Sequence, residues 1–165
     1  MRNAFTPEQI ADPQVGPAAK AVRACVHCGI CTATCPTYIL LGDERDGPRG
    51  RIVLMQKMLE AGGVPTAETV HHIDRCLSCL NCKTACPSSV NYQRLVDHSR
   101  AYIEEHYRRP PVDRLLRRML GAVLARPAWF RAALRAAGLA RPFAGLLPAR
   151  LRPMLSLAPR RVPAA

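Results

Sequence analysis

The chain has no run of about 18 apolar residues, so no transmembrane helix is expected. Met1 to Thr6 lack the apolar core of a secretory signal, so none is expected there. No segment alternates polar and apolar residues over a useful length, which argues against a fold built on hairpins. No Ser/His/Asp set, phosphate-binding loop or dinucleotide fingerprint is visible, so no substrate chemistry is expected in this chain alone. Acids are almost missing from one end. Residues 108–165 hold 13 Arg and one acid, Asp113, while residues 1–107 hold 11 Lys+Arg and 11 Asp+Glu. The net charge of +12 therefore lies wholly in residues 108–165.

What is present is cysteine in an ordered pattern. All eight cysteines fall in two copies of one spacing, C-x2-C-x2-C-x3-C-P. The first copy is Cys25, Cys28, Cys31 and Cys35, closed by Pro36; the second is Cys76, Cys79, Cys82 and Cys86, closed by Pro87. This run holds [4Fe–4S] clusters, whose four irons each take one thiolate. Three cysteines in a tight loop reach three corners, and the fourth serves the other cluster in two-cluster proteins. The expected sets are therefore Cys25, Cys28, Cys31 and Cys86 for one cluster, and Cys76, Cys79, Cys82 and Cys35 for the other. Gly29, between two ligands, lets the backbone approach the cluster. Pro36 and Pro87 lack a donor and are expected to turn the chain away. Structural zinc instead uses two separated C-x2-C pairs for four ligands, and disulfides accompany secretion; neither pattern is met here. Reduced cysteines and iron clusters fit a cytoplasmic location.

Three helices are expected around the runs, after a short helical approach near Ala18–Arg23. Pro48 reads as a first-turn proline, followed by Ile52, Met55 and Leu59 at helical spacing with Leu54 and Met58 beside them. Gly62-Gly63 ends that helix. Thr66 caps a second, with Val70, Ile73 and Leu77 on one face. Tyr92, Leu95, Ser99, Tyr102, Ile103 and His106 mark a third, stopped by Pro110-Pro111. The expected fold class is all-α. The expected domains are a double-cluster domain over 1–107 and a basic amphipathic helical tail over 108–165. The tail reads as three short pieces, Arg114–Arg126, Ala128–Ala140 and Pro142–Leu157, broken at Pro127, Gly138, Pro142, Pro148 and Pro153. Leu115, Leu116, Met119, Val123 and Leu124 form a stripe edged by Arg117, Arg118 and Arg126, and Trp129, Phe130 and Leu134 form another. Such a surface suits packing on protein or resting on an anionic membrane. No fold-level motif supports a nucleic-acid partner.

Other polar residues have two readings each. His27, between two ligands, either tunes a cluster through a hydrogen bond or sits at the surface. His71 and His72 point different ways on a helix and so do not form a metal pair. Arg49 and Arg51 either dock a partner or pair with Asp43, Glu44 and Asp46.

The first run continuing into Thr37-Tyr38, then Leu41-Gly42-Asp43-Glu44 and Gly47-Pro48-Arg49-Gly50-Arg51-Ile52, resembles the glycolate oxidase iron–sulfur subunit family. So does Asp74-Arg75-Cys76-Leu77-Ser78-Cys79-Leu80-Asn81-Cys82 through Cys86-Pro87-Ser88. The likeness covers residues 7–107 well and the tail loosely. Iron–sulfur subunits of lactate utilisation, anaerobic glycerol-3-phosphate oxidation and heterodisulfide reduction share the double run. The resemblance implies an α-helical ferredoxin domain with two [4Fe–4S] clusters. It implies a partner subunit carrying FAD, where glycolate becomes glyoxylate, and electrons passed on towards membrane quinone. It places the chain in the cytoplasm or at the inner face of the cytoplasmic membrane. A free-standing soluble two-cluster ferredoxin is the rival reading. Family members run on into two cysteine-rich repeats with a Cys-Cys-Gly element, whereas this chain has no cysteine after Cys86, as a fragment or a reduced form would.

Overall fold

A computed structural model describes residues 4–146 and 152–159. Among these residues there are helices, 3-10 turns and loops, and no strand. The chain divides into two compact units, Met1–Arg108 and Arg109–Ala165.

The first unit contains α1 (Pro7–Ala11), α2 (Val15–Ala24), α3 (Pro36–Leu41), α4 (Pro48–Ala61), α5 (Ala67–Asp74), α6 (Asn81–Thr84) and α7 (Tyr92–His106). Short 3-10 turns at Ile30–Thr34 and Glu44–Asp46 link them. Pro48 opens α4 where its missing N–H costs nothing, and Gly62, left-handed at φ 65°, closes it. Thr66 caps α5 by accepting from the Thr69 amide, as Thr66 and the Val70/Ile73 face foretell. That face stops short of Leu77. The helix ends at Asp74 because the chain must open into the second cysteine loop, and Leu77 is 65% exposed there. Pro36 opens α3 directly after the first run. Thr6 and Gln9 form a reciprocal capping box on α1.

The core joins one face of each longer helix. α2 packs on α7, and α4 packs on both α5 and α7. Ala18, Ala21 and Val22 of α2 meet Ile52, Met55 and Leu59 of α4, Val70 and Ile73 of α5, and Tyr92, Leu95, Val96 and Ile103 of α7 in one buried cluster. Each fully buried aliphatic side chain contributes about 1.5–3 kcal/mol, so truncating Leu95 or Ile103 to Ala removes about 2–5 kcal/mol. The small side chains of α2 allow close approach to α7. On α7 the expected face is buried at Tyr92, Leu95, Ser99 and Ile103, half-buried at Tyr102 and exposed at His106. Tyr102 donates its hydroxyl to the Gly63 carbonyl at 2.8 Å, pinning the α4–α5 turn.

The second unit contains α8 (Pro111–Leu124), α9 (Pro127–Ala140), a 3-10 turn at Arg141–Leu146 and α10 (Arg152–Leu157). Pro111 and Pro127 open helices. Gly138 does not break α9. One exposed glycine costs a helix about 1 kcal/mol, too little to end it. Residues 147–151 of the expected third piece lie outside the described residues, as do Arg150, Arg160 and Arg161. Leu120, Val123, Phe130, Leu134 and Leu155 line an apolar groove within this unit. Leu115, Met119, Leu124 and Trp129 remain exposed, with Arg126 stacked 5.7 Å from the Trp129 ring centre. Among the described residues no helix is long and apolar enough to cross a membrane.

Candidate metal centre

The two cysteine runs adopt the same local path. In the first, His27 and Gly29 have left-handed φ of 57° and 80°; in the second, Ser78 and Leu80 have 51° and 61°. These are equivalent positions, two and four residues after the first cysteine of each run. A left-handed Leu costs about 1–2 kcal/mol, so the loop shape is imposed by what surrounds it. Left-handed residues reverse the chain and gather successive N–H groups on the inner side, an arrangement that receives negative charge. Around Gly29 a Cβ would meet the Arg49 guanidinium at 3.1 Å. The second loop is clamped from α7: Arg100 donates to the Cys76 carbonyl at 2.5 Å and to the Ser78 hydroxyl at 2.6 Å.

None of the eight cysteines is in a disulfide, and they line two neighbouring cavities. The first is lined by Cys25, Cys28, Cys31, Cys82 and Cys86. The second is lined by Cys35, Cys76, Cys79 and Cys82. Cys82, Pro48 and Tyr92 border both. The crowding is visible in the thiols. Burial, then the charges of Cys76, Cys31, Cys35 and Cys79, push Cys82 up to about 12. Burial, then Cys25, and more weakly Cys86 and Cys28, raise Cys31. Thiolates packed this closely repel one another, so the donor set is one that a shared cation would stabilise. Eight soft sulfur donors in two adjoining pockets fit two iron–sulfur clusters.

A buried polar network backs the second cavity. Asp46 is fully buried and accepts from His72 Nδ1 at 3.0 Å, Arg75 at 3.0 Å and Arg51 at 3.4 Å. Burial alone would raise this carboxyl, but the bonds from His72 and Arg75 prevail and hold it below the usual carboxylate range. Arg51, 1% exposed, also donates to the His72 carbonyl at 2.7 Å and to Thr37 Oγ1 at 3.0 Å, and its Nη1 lies 3.9 Å from Cys35 Sγ. Thr37 Oγ1 lies 3.2 Å from the same sulfur and 2.8 Å from the Asp46 carbonyl. Tyr92 places its hydroxyl 3.8 Å from Cys76 Sγ, and burial keeps the phenol protonated.

The residues with two readings divide as follows. Arg51 and Arg49 both pair locally, Arg51 with Asp46 and Arg49 with Glu44 at 2.6 Å. His71 and His72 do diverge: His71 is exposed and His72 is buried. His72, Asp46 and Asp43 stand close enough to share an ion, but Asp46 is already saturated by cationic donors. His27 is half-buried and faces the first cavity, its Nε2 buried without a partner; burial first, then nearby positive charge, lowers its basicity.

Comparison with known proteins agrees with this geometry. Residues 24–91 match the family model of the 4Fe-4S dicluster domain, a span that contains all eight cysteines. Over 94% of its length the chain is 48% identical to the glycolate oxidase iron-sulfur subunit of Escherichia coli (strain K12). Over 57% of its length it is 35% identical to the probable glycolate oxidase iron-sulfur subunit of Bacillus subtilis (strain 168). The matches span 37% and 21% of those two proteins. No solved structure matches the chain. Residues 24–91 thus resemble a 4Fe-4S dicluster domain, carried on a chain similar to glycolate oxidase iron-sulfur subunits.

Proposed function

We propose that this chain is the electron-relay part of a flavin-dependent 2-hydroxy-acid dehydrogenase acting on glycolate. The observation that carries the reading is the 48% identity along 94% of the chain to a glycolate oxidase iron-sulfur subunit. Both relatives bear the glycolate name, which favours that substrate over lactate or glycerol-3-phosphate.

Within this reading Cys25, Cys28, Cys31 and Cys86 hold one cluster, and Cys76, Cys79, Cys82 and Cys35 hold the other. The sharing of cavities supports this crossing: Cys86 lines the pocket of the first loop, and Cys35 lines that of the second. Each cluster, when bound, supplies a one-electron redox step. The chain's own residues hold the sulfurs at fixed spacing and keep the two sites side by side across Cys82, Pro48 and Tyr92. The partner is a flavoprotein subunit, where two electrons leave glycolate. The acceptor beyond this chain is membrane quinone. The exposed apolar and arginine-rich surface of α8 and α9 is an attachment surface, for protein or for the anionic inner face of the cytoplasmic membrane.

The test is to co-express this chain with the flavoprotein subunit and purify the pair anaerobically. Glycolate is expected to bleach the cluster absorption only when both are present. Bleaching by lactate with no response to glycolate would assign a different substrate. A chain that never co-purifies with a flavoprotein, yet exchanges electrons with many, would be a free carrier.

A further inference from the structure

The two cysteine sets are surrounded unequally. Among the described residues, polar side chains reach sulfurs only in the set Cys35, Cys76, Cys79 and Cys82. Thr37 and Arg51 reach Cys35, and Tyr92 reaches Cys76. As ligands these cysteines are thiolates and only accept, so the hydroxyls and the guanidinium donate. The Thr37 proton has two acceptors, and an ionised sulfur is a stronger one than the Asp46 carbonyl. Two guanidiniums, Arg51 and Arg75, surround the single carboxylate of Asp46, which leaves the network cationic. Arg51 is buried and therefore little screened. The first set has a cation nearby as well, Arg49, but it is neutralised by Glu44 and 39% exposed on its side chain.

Reduction adds a negative charge. Donors and positive charge beside the sulfurs stabilise the reduced form more than the oxidised one. We propose that Thr37, Arg51 and Tyr92 are tuning residues that give the site of Cys35, Cys76, Cys79 and Cys82 the higher reduction potential of the two. This inference rests on the crossed assignment proposed above. It gives the relay a direction. One electron leaves the site of Cys25, Cys28, Cys31 and Cys86, which is oxidised. The same electron enters the second site, which is reduced, and no proton or bond to substrate is involved. The electrons originate in the reduced flavin of the proposed partner.

The experiment is an anaerobic redox titration of the reconstituted full chain, followed by electron paramagnetic resonance. Signals are assigned by their loss in Cys28→Ser and Cys79→Ser, which belong to different sites under either pairing. In the wild type, the signal dependent on Cys79 is expected to emerge at the higher potential. The reverse order overturns the proposal without need of any tuning variant. Thr37→Val and Tyr92→Phe remove one hydroxyl each with little change in shape. Each is expected to shift the reduction equilibrium of the Cys79-dependent site about tenfold, or about 59 mV downward for one electron, and to leave the Cys28-dependent site in place. If Thr37→Val moves the Cys28-dependent site while Tyr92→Phe moves the other, the crossed pairing is wrong and the inference falls with it. If neither variant moves either potential at full iron content, the tuning role is refuted and the pairing stands.

Discussion

Gly50 is the position where one added methyl group reaches furthest. A Cβ there would lie 2.1 Å from the Glu44 carbonyl oxygen, 2.7 Å from its carbon and 2.9 Å from Arg45 Cα. Carbon atoms pack at about 3.5–4.0 Å, so the Glu44–Asp46 turn must separate from α4 by roughly 1 Å or more. These are backbone atoms, and no side-chain rotation relieves the clash. The turn carries Asp46, whose bonds to His72 and Arg75 are 3.0 Å long and whose bond to Arg51 is 3.4 Å. Overpacking alone costs about 1–3 kcal/mol, and a buried ion pair broken on one side about 3–5 kcal/mol. Gly50→Ala is therefore expected to lose at least about 3 kcal/mol from a domain whose whole stability is about 5–15 kcal/mol. At about 4–8 °C per kcal/mol, the apparent midpoint for thermal loss of cluster absorption should fall by roughly 12 °C or more. Gly121→Ala is the control. No atom lies within 4 Å of its Cβ, and in an exposed helix interior the change stabilises by about 0.5–1 kcal/mol. If Gly50→Ala loads iron fully and melts with the wild type, the close fit of turn and helix does not support the second site as described.

Three further outcomes follow from the same contacts. Asp46→Asn leaves Arg51 buried beside a neutral amide and should cost about 3–5 kcal/mol near neutral pH, read by chemical denaturation. Because the folded carboxyl is held below its ordinary value, its stabilisation is complete above the unfolded value of about 3.9 and is lost as pH falls through the folded one. The gap between variant and wild type should therefore close in acid; a gap constant down to the acid limit would contradict the ion-pair account. Cys86→Ser should damage the cluster built on Cys25, Cys28 and Cys31, and Cys35→Ser the one on Cys76, Cys79 and Cys82, as resolved by Mössbauer spectroscopy of each variant; the opposite pattern rejects crossing. Deleting residues 109–165 should leave two assembled clusters, measured as iron per chain, while abolishing association with the flavoprotein or with anionic vesicles; loss of iron instead would make the tail part of the cluster fold.

The features legible in the sequence are those set by short-range spacing. The cysteine runs carry their chemistry within eleven residues each. The faces of α4, α5 and α7 follow from apolar period, and Pro48, Gly62 and Thr66 mark ends through backbone constraints that need no partner. Leu77 fits the apolar period of α5 yet lies beyond its end, because periodicity does not register where the loop must begin. Gly138 signals a break in the sequence, yet a single exposed glycine is within what a helix tolerates. The network of Asp46, Arg51, His72 and Arg75 is the larger omission. It joins the Glu44–Asp46 turn, α4 and the end of α5, so only the folded chain brings its members together. Of the two readings of Arg51, docking a partner is ruled out by its 1% exposure, while pairing with Asp46 is met, in a buried setting rather than a solvated one. Leu80 shows the opposite limit. Its left-handed backbone matches that of Gly29, an equivalence carried by the common spacing of the two runs and not by the residue type.

The most direct measurement is the metal content of the anaerobically reconstituted full chain, with iron, sulfide and zinc determined on the same sample alongside its Mössbauer spectrum. About eight irons and eight sulfides per chain, in two cubanes of four, are expected. Stoichiometric zinc with iron near zero, or iron that saturates at a single cluster, would contradict the two-site relay.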